Sequence, residues 1–350
     1  MDIRLERINL NSIKKESVRA IFNAITGKDQ ISRAEIAEIT ELSLMTVGKV
    51  VDALLDRRVI SQCKEVKNAA GRRAGLVSLN TAKFIMVIDL TSRAMSMTLM
   101  DIALNIVDRM TYEYNHDFYY EENLYIFMKN VKIYILRHLN MEDAVGIGVV
   151  LPGTYRPETD CVEGSRIPEL AQTKVRSIIE DVLHVPVTAL EKDVLTAAIS
   201  NLSDLEEEHI DSAVYVCIGE ALSGALIADG RLLYGRKDCA GDIGRMITSS
   251  GKTLQALFDA CGLREETVLA LADVLAYETI LFDPQMILIE NCSGGKLEPF
   301  RTMLTERICA ASGVEQSALP EIRILENGVR HAYRGIAIQM RTAWIQREIN

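Results

Sequence analysis

Apolar residues recur at Ile13, Val18, Ile21, Phe22 and Ile25, a helical spacing that predicts a helix from Ser12 to Thr26 with Gly27 as its stop. Ser32 followed by Glu35 is a capping-box start, and it predicts a short second helix over ISRAEIAEIT. ELS then turns the chain, Ser43 caps again, and Val47, Val50, Val51, Leu54 and Leu55 mark a third helix. VISQCKEVKNAAGRRAGLVSLN reads as strand, loop and strand, with Gly71, Arg72 and Arg73 at the tip. Past Phe84 the period changes. FIMVIDL, MSMTLMDI and NIVDRMTYEY predict three antiparallel strands at hairpin spacing.

A helix from about Glu121 to Leu139 follows, then strand AVGIGVVL, helix PELAQTKVRSIIEDVL, strand VPVTAL and helix DVLTAAISNL. A second block opens with AVYVCIG and ALSGALIADG and passes through helices at Leu254–Cys261 and Glu265–Leu281. Strands QMILIE and EIRIL and a final helix close it. A meander followed by βα alternation, seen twice, implies an α/β fold of two lobes in the ribonuclease-H-like manner, with a cleft between them. The expected division is a winged helix-turn-helix over 1–80, a first lobe over 81–200 to which a C-terminal helix at 330–350 returns, and a second lobe over 201–329.

Bulk properties narrow the class. At 350 residues, two or three domains are expected, and 48% hydrophobic with 25% charged residues is ordinary for a globular protein. The opening MDIRLERINL lacks the apolar run of a secretory signal, and no stretch approaches a membrane span. Seven cysteines, at 63, 161, 217, 239, 261, 292 and 309, form no CxxC and read as reduced, mostly buried thiols of a cytoplasmic protein. Charge is unevenly placed. Residues 1–80 hold 14 Lys+Arg against 10 Asp+Glu, while the whole chain carries −10. A basic head on an acidic body suits a module that displaces counterions from double-stranded DNA.

The head supplies the matching chemistry. In a helix-turn-helix, the second helix of the pair lies in the major groove with its first turns at base edges. Ser43, Met45, Thr46 and Lys49 are the outward residues there, and Ser32 and Arg33 at the start of the preceding helix join them as candidate DNA contacts. A hydroxyl can bond base or phosphate, a thioether can touch a thymine methyl, and a lysine reaches guanine or backbone. Arg72 and Arg73 on a wing tip suit a narrow minor groove; a plain solvated loop is the other reading.

NSIKKESVRAIFNAI, ISRAEIAEITELSLMTVGKVVDALLDRRVI and GRRAGLVSLN together resemble the head of the ROK family of repressors, open reading frames and sugar kinases. GIGVVLPG, LEKDVLTAA and GEALSGALIADGRLLYGRKDCAGDIGRM are similar to that family's proline-glycine strand end, catalytic segment, and second phosphate loop leading to the sugar site. The resemblance runs over the whole chain and implies an actin-like sugar-kinase domain behind the head.

Departures from the pattern point away from catalysis. Phosphate loops need glycines whose backbone N–H groups close around the anion. Here Thr91 and Ser92 stand at two such positions of the first loop, and Ala221 and Ser223 at two of the second, preceded by Glu220, whose carboxylate is expected to repel a phosphate by several kcal/mol if partly desolvated. Glu290-Asn291-Cys292-Ser293 replaces a glycine run on the adenine side. Asp193 keeps the family's general-base position, where it serves as a base, a helix cap or a ligand contact. In the implied sugar site, Gly153 is retained, Lys192 replaces an asparagine, Asp242 a glutamate, and Arg245 a histidine that in many members ligates zinc with three nearby cysteines. MITSSGKTLQALFDACG follows Arg245 without those cysteines, so no metal is expected there. Two cations would suit an anionic effector, a sugar phosphate or sugar acid, in place of a neutral sugar; internal pairs with Asp193 and Asp242 are the alternative.

The reading at this point is a homodimeric or tetrameric transcriptional regulator, a repressor with activation left open by the sequence, acting on an inverted-repeat operator in carbohydrate metabolism. It is expected to need no cofactor and to catalyse nothing. A working ATP-dependent sugar kinase with an appended head, and a ligand-independent DNA-binding scaffold, are the competing readings.

Overall fold

The computed structural model describes residues 13–63, 75–203, 210–326 and 332–349. The chain divides into two compact units, one made of residues up to Glu191 together with those from Ile336, the other of Lys192–Gly335.

The first unit begins with α1 (Ile13–Thr26), β1 (Ile31–Ser32), α2 (Arg33–Thr40) and α3 (Leu44–Asp56), followed by β2 (Ile60–Gln62) and β3 (Leu76–Leu79). Local chemistry explains the helix starts. Ser32 Oγ accepts from the backbone of Glu35 while the Glu35 carboxylate accepts from the Ser32 N–H, a complete capping box. That bond to the Ser32 N–H, and next its hydroxyl, holds the Glu35 carboxyl below the usual carboxylate range. Glu41 closes α2 in the left-handed region, and Ser43 Oγ caps α3 by accepting from the Thr46 N–H. Ile21, Ile25, Ile36, Val47, Val51 and Leu54 are fully buried, so one apolar stripe from each helix meets in a common core. The three strands form a small antiparallel sheet in the order β1-β3-β2.

Next come β4 (Phe84–Asp89), β5 (Met95–Asp101), β6 (Ile106–Tyr112), α4 (Tyr120–His138), β7 (Ala144–Leu151), β8 (Thr154–Arg156), β9 (Cys161–Glu163), α5 (Val175–Leu183) and β10 (Ala189–Lys192). β4, β5 and β6 form the antiparallel meander, β7 lies parallel to β4, and the sheet order is β10-β7-β4-β5-β6. β4 is buried along nearly its whole length, as its unbroken apolar run requires of a central strand.

The expected helix over PELAQTKVRSIIEDVL is instead a 3-10 turn at Pro168–Ala171 and the separate helix α5. Thr173 N–H and hydroxyl both bond to Glu169 O, ending the first segment, and the Asp160 carboxylate accepts the free N–H groups of Arg176 and Ser177 at the start of the second.

The second unit holds α6 (Asp193–Ser203), β11 (Ala213–Ile218), β12 (Leu222–Ala228), β13 (Arg231–Leu233), α7 (Leu254–Cys261), α8 (Glu265–Phe282), β14 (Met286–Asn291), α9 (Arg301–Ser312) and β15 (Glu321–Glu326). Its sheet order is β13-β12-β11-β14-β15, with β12 antiparallel to β11 and β14 parallel to it. This repeats the first unit's plan, β11 standing where β4 stands and β14 where β7 stands. Val214, Val216, Ile218, Ile287 and Ile289 pack in one apolar cluster with residues of α7, α8 and α9. α6, with which the expected first lobe closed, groups with this unit. The last helix, α10 (Ala332–Ile349), has its residues from Ile336 in the first unit, where Ile336 and Met340 press against Gly146 and Gly148 of β7.

Candidate functional site

The outward end of α3 is the best-defined surface in the head. Ser43 is exposed, and its hydroxyl both caps the helix and lies 2.9 Å from that of Thr46, which is half-buried. Met45 is 70% exposed and Leu44 62%, so two large apolar side chains stand in solvent at the first turn of a helix whose other face is fully packed. Lys49 is exposed one turn further on. Ser32 and Arg33 are committed to the head's own structure. Ser32 is held by the capping box, and the Arg33 guanidinium pairs with Asp52 of α3, clasping α2 to α3. Sequence reasoning missed that ion pair because it joins residues 19 apart on different helices. Gly71, Arg72 and Arg73 lie outside the described residues.

The first would-be phosphate loop, after β4, is closed on itself. Asp89 Oδ1 accepts from both the N–H and the hydroxyl of Thr91, and Ser92 donates to Ala94 O at 2.8 Å. Arg93 pairs with Glu169 at 2.7 Å and lies over the Tyr114 ring. A hydrogen bond from its own backbone N–H, and then one from Arg93, hold the Glu169 carboxyl below its ordinary value. Gly153, after β7, is buried, and a Cβ there would stand 2.5 Å from Glu163 O. Only glycine fits, so that residue has a packing reason independent of any ligand.

In the second unit, the β11–β12 turn is tight, Gly219 N–H donating to Ala221 O. Glu220 is exposed. The expected repulsion of several kcal/mol therefore needs revision, since it assumed a partly desolvated charge and water screens this one. Glu290 and Asn291 also differ from expectation. Both belong to β14 itself and are 1% exposed, so they do not line a loop, and Asn291 is tied to Gly295 O and to Glu326.

Asp193 is 5% exposed at the first position of α6, and its Oδ1 accepts from the adjacent Val194 N–H. Lys192, half-buried, ends β10 just before it. The segment carrying Asp242 and Arg245 is pressed onto β12. Gly241 sits at φ 79°, where a Cβ would lie 2.9–3.1 Å from the backbone of Ala225. Asp242 is half-buried and Arg245 exposed, and no ion pair or hydrogen bond joins their side chains. That removes one half of the internal-pair alternative. Beyond Arg245, residues 247–253 form a tight turn bridged between Ile247 and Thr253, and Thr253 caps α7. With an exposed guanidinium and a cysteine-free turn, this stretch does not fit the zinc site that the family resemblance implies.

A three-strand meander followed by parallel strands, present in the same order in both units, defines an actin-like sugar-kinase fold. The chain belongs to the ROK family, whose model matches residues 86–263. The N-acetylglucosamine repressor of Escherichia coli O157:H7 is 20% identical over 242 residues, covering 68% of this chain and 59% of that protein. The xylose repressor of Bacillus subtilis (strain 168) is 23% identical over 241 residues, covering 67% and 61%. The matched part is thus about three-fifths of the length of these curated relatives. Among solved structures, a ROK family transcriptional regulator described as a homologue of the E. coli MLC protein superposes with a TM-score of 0.67 at 16% identity, over 96% of this chain and 99% of that one. The ROK hexokinase from Thermus thermophilus gives 0.55 at 18% identity, over 73% and 98%. At these identities the likeness is one of fold. No helix among the described residues is long and apolar enough to cross a membrane.

Proposed function

We propose that this chain is a DNA-binding transcriptional regulator, a repressor in carbohydrate metabolism, with a winged helix-turn-helix head and a kinase-like body that catalyses nothing. The observation that carries the reading is the first two turns of α3, where Ser43 fixes the helix start and Met45 and Lys49 stand in solvent. The names of the N-acetylglucosamine and xylose repressors support it. Ser43, Met45, Thr46 and Lys49 contact DNA directly in this reading, as do Gly71, Arg72 and Arg73; Ser32 and Arg33 position the recognition helix.

The body takes a sugar, sugar phosphate or sugar acid near Lys192, Asp193, Asp242 and Arg245, and the exposed guanidinium of Arg245 favours the anionic members. Two copies read the half-sites of an inverted repeat. Exposed Ile247, Tyr277, Ile280 and Leu281 in the second unit supply apolar surface for self-association. The reading is tested by selecting a duplex from random sequence with the full chain and titrating sugars and sugar phosphates against the complex. A retained duplex whose affinity changes at least severalfold with one ligand supports it; no duplex retained above a scrambled control contradicts it.

A sugar kinase is the second reading, favoured by the retained Asp193. The internally bonded turn at Asp89–Thr91 opposes it, because the Thr91 N–H is already taken.

A further inference from the structure

The face of the second unit's sheet opposite its apolar cluster holds an unusual polar group. β11 and β14 run parallel with Cys217 paired to Glu290, so these two side chains leave the sheet on one side. Tyr215, two residues before Cys217, shares that side, as does Cys292, two residues after Glu290. The Tyr215 hydroxyl donates to Glu290 Oε2, and Asn201 Nδ2 of α6 approaches the same oxygen at 3.3 Å. Glu290 is only 1% exposed. Sγ of Cys217, a carboxylate oxygen of Glu290 and Sγ of Cys292 all lie within 4.8 Å of one another.

A carboxylate withdrawn from water is costly unless it is neutralised, and a tyrosine and an amide bring no full positive charge. Two thiols beside it offer the soft donors that a borderline divalent metal prefers. Around a tetrahedral zinc-sized ion, S–metal bonds of about 2.3 Å and O–metal bonds of about 2.0–2.2 Å put the donors roughly 3.5–3.8 Å apart. The existing spacing needs to contract by only about 1 Å to match that geometry. Cys292 N–H donates to Ile218 O at 2.7 Å, which fixes the third donor's backbone against β11. Cys292 is half-buried and gives the ion a way in.

We propose that Cys217, Glu290 and Cys292 form a binding site for one thiophilic divalent cation of the zinc class, with the fourth position left to water. Binding displaces the two thiol protons to solvent and places a positive ion against the Glu290 carboxylate. The ion ties β11 to the segment leaving β14, where Asn291 and Ser293 already hold the turn by a 2.7 Å bond. This site is separate from the Asp242–Arg245 segment and from the zinc position that the family resemblance implies.

The test uses the full chain, stripped with a chelator under reductant and titrated with Co2+ alone. The expected result is thiolate-to-cobalt absorption in the near ultraviolet with visible bands of tetrahedral intensity, saturating at one ion per chain and bleached by Zn2+. Cys292→Ser, at the half-buried position and so the variant least disturbing to the fold, reduces the near-ultraviolet band, and Glu290→Gln weakens Co2+ about tenfold or more. No thiolate band at millimolar Co2+, or a band unchanged in Cys292→Ser, overturns the proposal.

Discussion

The carboxylate of Asp89 accepts two hydrogen bonds from Thr91, one from the N–H at 2.9 Å and one from the hydroxyl at 2.6 Å. An oxygen of the chain occupies the donor that a phosphate oxygen would need. The chain is therefore expected to show no sugar-dependent ATP turnover above background in a coupled assay. Thr91→Gly with Ser92→Gly does not create it, because Ala221 and Ser223 of the other loop still carry side chains.

Ser43 caps α3 through a single 3.1 Å bond from the Thr46 N–H. Ser43→Ala is expected to cost about 1 kcal/mol of stability, and Ser43→Asp to restore most of it. Urea unfolding of the full chain, followed on a reporter in the head, measures both.

Gly241 lies in the left-handed region against the Ala225 backbone. Gly241→Ala is expected to cost on the order of 1–3 kcal/mol, since it adds both strain and a close contact. A lowered unfolding temperature checks this. Any sugar-induced stabilisation should fall as well, because the same turn carries Asp242 and Arg245.

Burial pushes the carboxyl of Glu278 on α8 above its ordinary value. The folded state therefore holds this proton more tightly than the unfolded chain, so ionisation at neutral pH works against folding. Glu278→Gln is expected to raise the unfolding temperature at pH 7.5. The gain should shrink as pH falls through the raised value and vanish below the unfolded carboxyl's own range. A gain that stays constant from pH 7.5 to 4 contradicts this sign.

Short-range chemistry was the most legible part of the sequence. Ser32 with Glu35 and Ser43 with Thr46 are local caps, and the structure forms both where the residues stand. The unbroken run FIMVID announces a central strand for the same reason: its surroundings are encoded in its own composition. Features that depend on distant partners were not legible. The break before α5 rests on Asp160, 16 residues from Arg176. α9 buries only Leu304 and Ile308 and leaves little periodic signal. Of the candidate site, the outward side chains of α3 could be read from helical spacing, whereas the Arg33–Asp52 pair and the Tyr215–Glu290 contact appear only once helices pack and strands align. A glutamate inside the apolar run MILIE was the one available hint of the latter.

The central claim is that α3 carries DNA recognition. Fluorescence anisotropy of a duplex selected by the full chain, compared between the wild type and Met45→Ala/Lys49→Ala at several salt concentrations, tests it most directly. The account predicts an affinity loss of at least about tenfold, with the salt slope shallower by roughly 0.9 if Lys49 meets a phosphate. Equal affinities with an unchanged slope, from a double variant that melts like the wild type, would contradict it.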